Sequence, residues 1–399
     1  MSLDKTSSGE RIHIGFFGMR NAGKSSLVNA ITGQNLAVVS DVAGTTTDPV
    51  KKAMELLPIG PVVITDTPGF DDEGMLGELR VKKTKEVLAK TDIAVLVTDS
   101  TKEATQSERE FIDIIKEKKL PYIVVHSKAD FLDIIPKADN REIWVSSVNN
   151  ININELKEMI GSLAAKAVSE RRIVADLMNE GDVVVLVTPI DESAPKGRLI
   201  LPQQQTIRDI LDSHCITAVC QVEQLSTLLS ALKDKPKMVI TDSQAFGRVS
   251  KLVPEDIPLT SFSILFARYK GDLATQVKGA AMLSKLKDGD KILISEGCTH
   301  HRQCGDIGTV KLPAWIKSFS GANISIDFTS GGEFPEDLSS YKLVVHCGGC
   351  MLTETEMKHR IETAIGAGVP IVNYGVAIAH VNGILARSLE LFPDVAKML

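Results

Sequence analysis

Two groups of residues in this 399-residue chain have types and spacing suited to chemistry. The first is the run Gly18-Met19-Arg20-Asn21-Ala22-Gly23-Lys24-Ser25-Ser26. Its glycines let the backbone approach phosphate oxygens, and successive N–H groups ending in a helix N-terminus favour an anion. Lys24 would reach the β- and γ-phosphates, and Ser25 would hold Mg2+. The second group is Cys298-Thr299-His300, followed after residues 301–345 by His346-Cys347-Gly348-Gly349-Cys350. The thiolates of Cys298, Cys347 and Cys350 suit either a 4Fe-4S cluster with a fourth iron left to another ligand, or Zn2+ completed by a histidine. Gly348 and Gly349 tilt the choice toward the cluster, because bare backbone N–H groups can bond cluster sulfides. Cys304 reads as a thiol near this site. The plainer alternatives are a glycine-rich turn that matches by chance and two unrelated groups of buried thiols.

These residues need elements to place them. An apolar strand over 12–17 precedes the glycine-rich loop and a helix over 27–31 follows it. Within the Gly/Thr segment 41–48, Thr46 is expected to complete the Mg2+ shell and sense the γ-phosphate. A strand over 62–65 ends in Asp66-Thr67-Pro68-Gly69. Asp66 would hold Mg2+ through water, and the Gly69 N–H would meet the γ-phosphate. Further apolar strands are expected over 93–98 and 122–126, with a helix over 107–118 between them.

The second of those strands leads into Ser127-Lys128-Ala129-Asp130, which resembles the Asn-Lys-x-Asp guanine-reading motif. Asp130 would accept the guanine N–H groups and Lys128 would cover the base. Ser127 departs from the pattern: a hydroxyl cannot bridge loop and base as an amide can, which implies weaker guanine binding. Ser146 and Ser147 match the loop that offers a backbone N–H to the guanine carbonyl. Together these ordered motifs resemble a Ras-type small GTPase domain, here placed at 1–170, with the doubly wound parallel sheet of that class. Asn21 stands where TrmE-like GTPases place a K+-coordinating asparagine. Phe70 stands where Ras-like enzymes carry a water-orienting glutamine. The resemblance therefore implies slow, K+-stimulated GTP hydrolysis.

Composition is that of globular domains, with 43% hydrophobic and 24% charged residues. A net charge of −6 and 5% aromatic residues speak against a nucleic-acid partner, which calls for basic faces and stacking platforms. No apolar run is long enough to span a bilayer, and residues 1–10 lack the apolar core of a signal peptide. A cytoplasmic protein without disulfides is expected.

From 171 to 265 a second α/β alternation is expected, with strands over 182–187, 216–220, 238–240 and 259–266. Asp191, Lys196 and Arg198 lie in a Gly/Pro loop and read as a solvated turn. Cys215 and Cys220 read as buried structural thiols. A small sheet without its own chemistry suggests dimerisation. The third domain, 266–399, carries the cysteines at the ends of apolar strands over 291–295 and 343–345, where open parallel sheets bind ligands. The charged helix over 351–367 reads as a solvated face.

A TrmE-like GTPase domain, a small α/β domain and a CxH…HCxxC domain, in that order, resemble the HydF family of (FeFe)-hydrogenase maturation GTPases over essentially the whole chain. The resemblance implies a scaffold or chaperone whose 4Fe-4S cluster is held by Cys298, Cys347 and Cys350. His346 is the first choice for an exchangeable fourth ligand and His300 the second. It also implies GTP, Mg2+ and K+ as cofactors and a homodimer or higher homo-oligomer. Two radical-SAM maturation enzymes would assemble a two-iron precursor on it, and the apo-hydrogenase would receive it. A tRNA-modifying GTPase and a GTP switch with a structural zinc domain are the rival readings.

Overall fold

The computed structural model describes residues 8–33, 49–69, 83–167, 171–189, 199–297 and 307–399. The chain divides into two compact units, Met1–Glu170 and Arg171–Leu399.

In the first unit the strands are β1 (Ile12–Phe17), β2 (Val50–Leu56), β3 (Gly60–Asp66), β4 (Ile93–Asp99), β5 (Tyr122–Ser127) and β6 (Glu142–Trp144). They form one sheet in the order β2-β3-β1-β4-β5-β6, parallel except for β2, which runs antiparallel to β3. Side chains alternate across β1: Ile14 and Phe16 join the core with helices Lys24–Thr32 and Ile153–Ala167, while Phe17 joins Leu96 and Phe111 on the other face. Burial on both faces explains the nearly unbroken apolar run of β4. Helix Gln106–Glu117 starts on a reciprocal cap between Thr105 and Glu108.

The second unit holds two four-stranded, all-parallel sheets. One contains β7 (Val183–Val187), β8 (Ile216–Cys220), β9 (Met238–Thr241) and β10 (Leu259–Ser261), in the order β10-β9-β7-β8. The other contains β11 (Lys291–Ser295), β12 (Ser325–Thr329), β13 (Leu343–His346) and β14 (Ile371–Asn373), in the order β12-β11-β13-β14. A single core joins them, running from Leu186 and Ile240 through Phe262, Leu265 and Val277 to Ile294 and Val345.

Two expectations change here. The apolar run 259–266 is not one strand. It ends at Ser261, whose hydroxyl accepts the Ile264 N–H at 3.3 Å and starts helix Phe262–Lys270. The boundary expected at 265/266 therefore falls inside a helix that belongs to the shared core. Cys215 and Cys220 are buried, as expected of structural thiols. Among the described residues no helix is long and apolar enough to cross a membrane.

Candidate functional site

The glycine-rich loop leaves β1 at Gly18. There φ is +145°, and a Cβ would lie 2.1 Å from the Val97 carbonyl oxygen, so only glycine lets β1 and β4 approach this closely. Asn21 is exposed with φ 57°, and Gly23 precedes helix Lys24–Thr32 in the left-handed region. Ala22 is buried, and Ser26 lies in the first turn of the helix. Lys24 folds back over the loop, its ammonium donating to Gly18 O at 2.9 Å and Met19 O at 2.7 Å.

β3 pairs with β1 so that Asp66 lies beside Phe16, which brings the carboxylate to the loop. Ser25 Oγ donates to Asp66 Oδ2 at 2.6 Å. The other carboxylate oxygen is buried without a hydrogen-bond partner among the described residues. Burial raises the Asp66 pKa, against the Ser25 hydrogen bond and the Lys24 charge, which lower it. A buried carboxylate beside a hydroxyl with one unsatisfied oxygen is a donor set that suits Mg2+. Gly69 follows at the end of the described stretch, whereas Thr46 and Phe70 lie outside the described residues.

At the expected guanine pocket, Ser127 Oγ donates to Ala22 O at 2.6 Å and to Thr98 O at 3.0 Å. The serine thus reaches the phosphate loop. Lys128, at φ 61°, places its ammonium 2.6 Å from Asp99. Burial would raise Asp99, but hydrogen bonds from Lys128 and Thr101 hold it below the usual carboxylate range. Asp130 sits in the turn Ala129–Phe131, anchored by the Ala129 N–H on Val145 O at 3.0 Å. Ser146 is buried and accepts the Asn149 N–H, with Ser147 next to it half-buried.

The second site lies where the chain leaves β11 and β13. These strands are neighbours, with Ser295 level with His346. The chain turns to β12 on one side of β11 and to β13 on the other, and such a switch point opens a crevice at the strand ends. Cys347 Sγ accepts the N–H of Gly297, 3.0 Å away, and of Gly349, 3.4 Å away. The residue before Cys298 thus meets the CxxC turn, although Cys298, His300 and Cys304 themselves lie outside the described residues. Gly349 has φ 65°, and a Cβ there would press on Met357 Sδ at 3.1 Å. Burial pushes the Cys347 thiol up to about 11 and also raises Cys350, which favours the thiol over the thiolate at both; a metal held there would favour the thiolates. Amide donors aimed at a cysteine sulfur at a strand end suit a thiolate-ligated iron–sulfur group.

His346 is fully buried. A carbonyl cannot donate and a guanidinium cannot accept, so its Nδ1 carries the proton given to Cys347 O at 2.7 Å and its Nε2 accepts from Arg360 Nη1 at 3.0 Å. Burial, and then the Arg360 charge, lower its pKa to about 3. With both nitrogens engaged, His346 offers no lone pair to a metal in this arrangement.

Three partners escaped sequence reasoning. Arg360 and Glu356 lie on a helix that reads from sequence as a solvated face, yet both are buried and paired at 2.7 Å, and Arg360 also bonds Gly331 O and Ser295 Oγ. Lys270 comes from a distant helix. In the sequence it is one of two cations, with Arg268, that close the mostly apolar run 259–270.

Residues 13–128 match the 50S ribosome-binding GTPase family, 173–271 the hydrogen maturase F dimerization domain and 274–391 the hydrogen maturase F tetramerization domain. The latter two together cover more than half of the chain. Among curated proteins, the tRNA modification GTPase MnmE of Endomicrobium trichonymphae is 34% identical over 227 residues, covering 55% of this chain and 48% of that protein. MnmE of Thermoanaerobacter sp. strain X514 is 32% identical over 165 residues, covering 39% and 35%. The chain thus spans about half or less of the length of these curated relatives. Among solved structures, Aquifex aeolicus Era is 19% identical with a TM-score of 0.35, covering 60% of this chain and 97% of that one. The G domain of T. maritima FeoB is 23% identical with a TM-score of 0.30, covering 39% and 99%.

Proposed function

The chain belongs to the hydrogen maturase F family, and we propose that it is a GTPase scaffold on which the (FeFe)-hydrogenase active-site cluster is assembled and from which it is delivered. The observation that supports this reading is the approach of Gly297 N–H, from the residue just before the CxH segment, to Cys347 Sγ in the HCxxC turn.

In the first unit the loop N–H groups and Lys24 would bind the β- and γ-phosphates of GTP, and Ser25, Thr46 and Asp66 would hold Mg2+, which would neutralise phosphate charge. To reach a phosphate, Lys24 exchanges the Gly18 and Met19 carbonyls for it. Gly69 N–H meets the γ-phosphate, and Asp130 with Lys128 selects guanine. Asn21 would hold K+, which would supply the positive charge that Phe70 cannot. Turnover at least tenfold faster in K+ than in Na+, lost in Asn21→Ala, is expected; equal rates in both salts would remove K+ from the account.

In the second unit Cys298, Cys347 and Cys350 would hold a 4Fe-4S cluster. A bound cluster would offer one iron to exogenous ligands. The fourth position falls to His300 or water, since His346 serves Arg360. Two radical-SAM enzymes and the apo-hydrogenase are the proposed partners, with GTP binding and hydrolysis gating their exchange. The chain works as a homo-oligomer in the cytoplasm. Edge strand β8, where Ile216 is 55% and Val219 44% exposed, supplies an apolar contact for a second copy.

Anaerobic reconstitution followed by cyanide or imidazole titration tests the open site. A change in the cluster's EPR spectrum at stoichiometric ligand is expected, and an unresponsive spectrum would contradict an exchangeable iron.

A further inference from the structure

Lys270 closes helix Phe262–Lys270 and is only 3% exposed. Its ammonium donates to the backbone carbonyls of Gly349 at 3.3 Å, Cys350 at 3.1 Å and Leu352 at 2.8 Å. An ammonium taken out of water is costly unless its protons are bonded, and here those bonds run into the turn that carries Cys347 and Cys350. The turn cannot make this arrangement by itself, because its partner lies 79 to 82 residues away in sequence. The approach is fixed by packing: at Gly271, the next residue, a Cβ would already meet Ala267 O and Ile361 Cδ1 at 3.0 Å.

Arg360 offers a contrast. It is as deeply buried, at 1% exposure, and pairs with Glu356 2.7 Å away, but its other bonds go to His346, Ser295 and Gly331 rather than into the CxxC turn. Arg360 therefore orders the end of β13, while Lys270 places positive charge directly under the CxxC turn. Iron–sulfur clusters on thiolates carry net negative charge, and nearby fixed charge and hydrogen bonds tune their potentials.

Resting on the cluster site proposed above, we propose that Lys270 is a positioning residue with an electrostatic role. It holds the Cys347–Leu352 turn in its ligating shape and supplies the fixed charge that sets the reduction potential of a cluster carried there.

The full-length protein and its Lys270→Arg, Lys270→Gln and Lys270→Met variants are reconstituted anaerobically. Iron and sulfide per chain and the EPR midpoint potential are measured, with circular dichroism as the check on folding. Glutamine still donates to carbonyls but carries no charge. The expected result is a wild-type potential in Lys270→Arg. In the Gln and Met variants the one-electron reduction constant falls about tenfold, about 59 mV more negative. Cluster loss in Gln and Met with retention in Arg supports the same role. A folded Gln variant with wild-type cluster content and potential overturns it, as does cluster loss in all three folded variants. If the wild type takes up zinc and no cluster, the cluster reading fails by itself. Zinc competition against a chromophoric chelator then decides the role of Lys270: about tenfold weaker binding in Gln but not Arg upholds it, and equal binding in all refutes it.

Discussion

The loop after β1 and the turn after β13 are built alike and held differently. Both leave the carboxyl end of a parallel strand at a point where the sheet order reverses, and both rest on glycines and a buried lysine donating to loop carbonyls. Lys24 lies five to six residues from its carbonyls and grows from the helix that the loop itself starts. Such a lysine is free to exchange carbonyls for phosphate when a nucleotide arrives. Lys270 reaches its turn from another helix and is tied to it through three bonds. The nucleotide loop is a local device that responds to its ligand, whereas the cysteine turn is a preformed seat whose shape depends on the whole second unit.

The contrast can be broken most severely at Arg360. Arg360→Met should break the buried ion pair with Glu356 and cost about 3–5 kcal/mol of second-unit stability by denaturant unfolding. Adding Glu356→Leu should restore most of it; a single variant as stable as wild type would show that the β13 seat does not depend on its buried pair. Next in size, Lys24→Ala should weaken GTP binding about a hundredfold, the scale of charge-assisted hydrogen bonds. Metal content of the second unit should stay unchanged, and a joint loss of both would undo the claim of a local device.

Ser127→Ala should be milder. It removes the donor from Ala22 O and Thr98 O at a cost of about 1–3 kcal/mol, read as GTP affinity lowered about tenfold. Ser127→Asn should tighten GTP by letting one side chain reach loop and base together, and an unchanged Kd would show that the serine already does both. The smallest effect on either site is expected from Ile216→Lys on edge strand β8, which should lower the mass seen by light scattering while leaving nucleotide and metal binding intact. An unaltered mass would move the contact between copies elsewhere.

How much was legible follows the same division. The nucleotide site is written in contiguous motifs whose parts lie next to the strands that place them, so β1, Asp66 and the Ser127–Asp130 segment could be read directly. The fold class was also legible, because apolar runs such as β4 and β11 carry the signature of strands buried on both faces. The run 259–266 misled because its apolar residues suit either element, and one capping serine decides where strand becomes helix. The Ser127 bond to the phosphate loop was not legible because its partner is a carbonyl brought close by tertiary structure. The residues that seat the cysteine turn were hidden for a related reason. A charged residue on a helix is ordinarily solvated, and nothing local reveals that Arg360 pairs with Glu356 and meets His346, or that Lys270 bonds the Cys350 carbonyl.

The central claim is that the second unit's cysteines carry an iron–sulfur cluster, independently of the nucleotide site in the first unit. The most direct measurement is iron, acid-labile sulfide and zinc content, with EPR, on anaerobically reconstituted wild type and Cys347→Ala. The account predicts about four irons and four sulfides per chain. It also predicts a reduced 4Fe-4S signal that Cys347→Ala loses while still binding GTP. Stoichiometric zinc with no cluster, or a cluster signal untouched by Cys347→Ala, would contradict it.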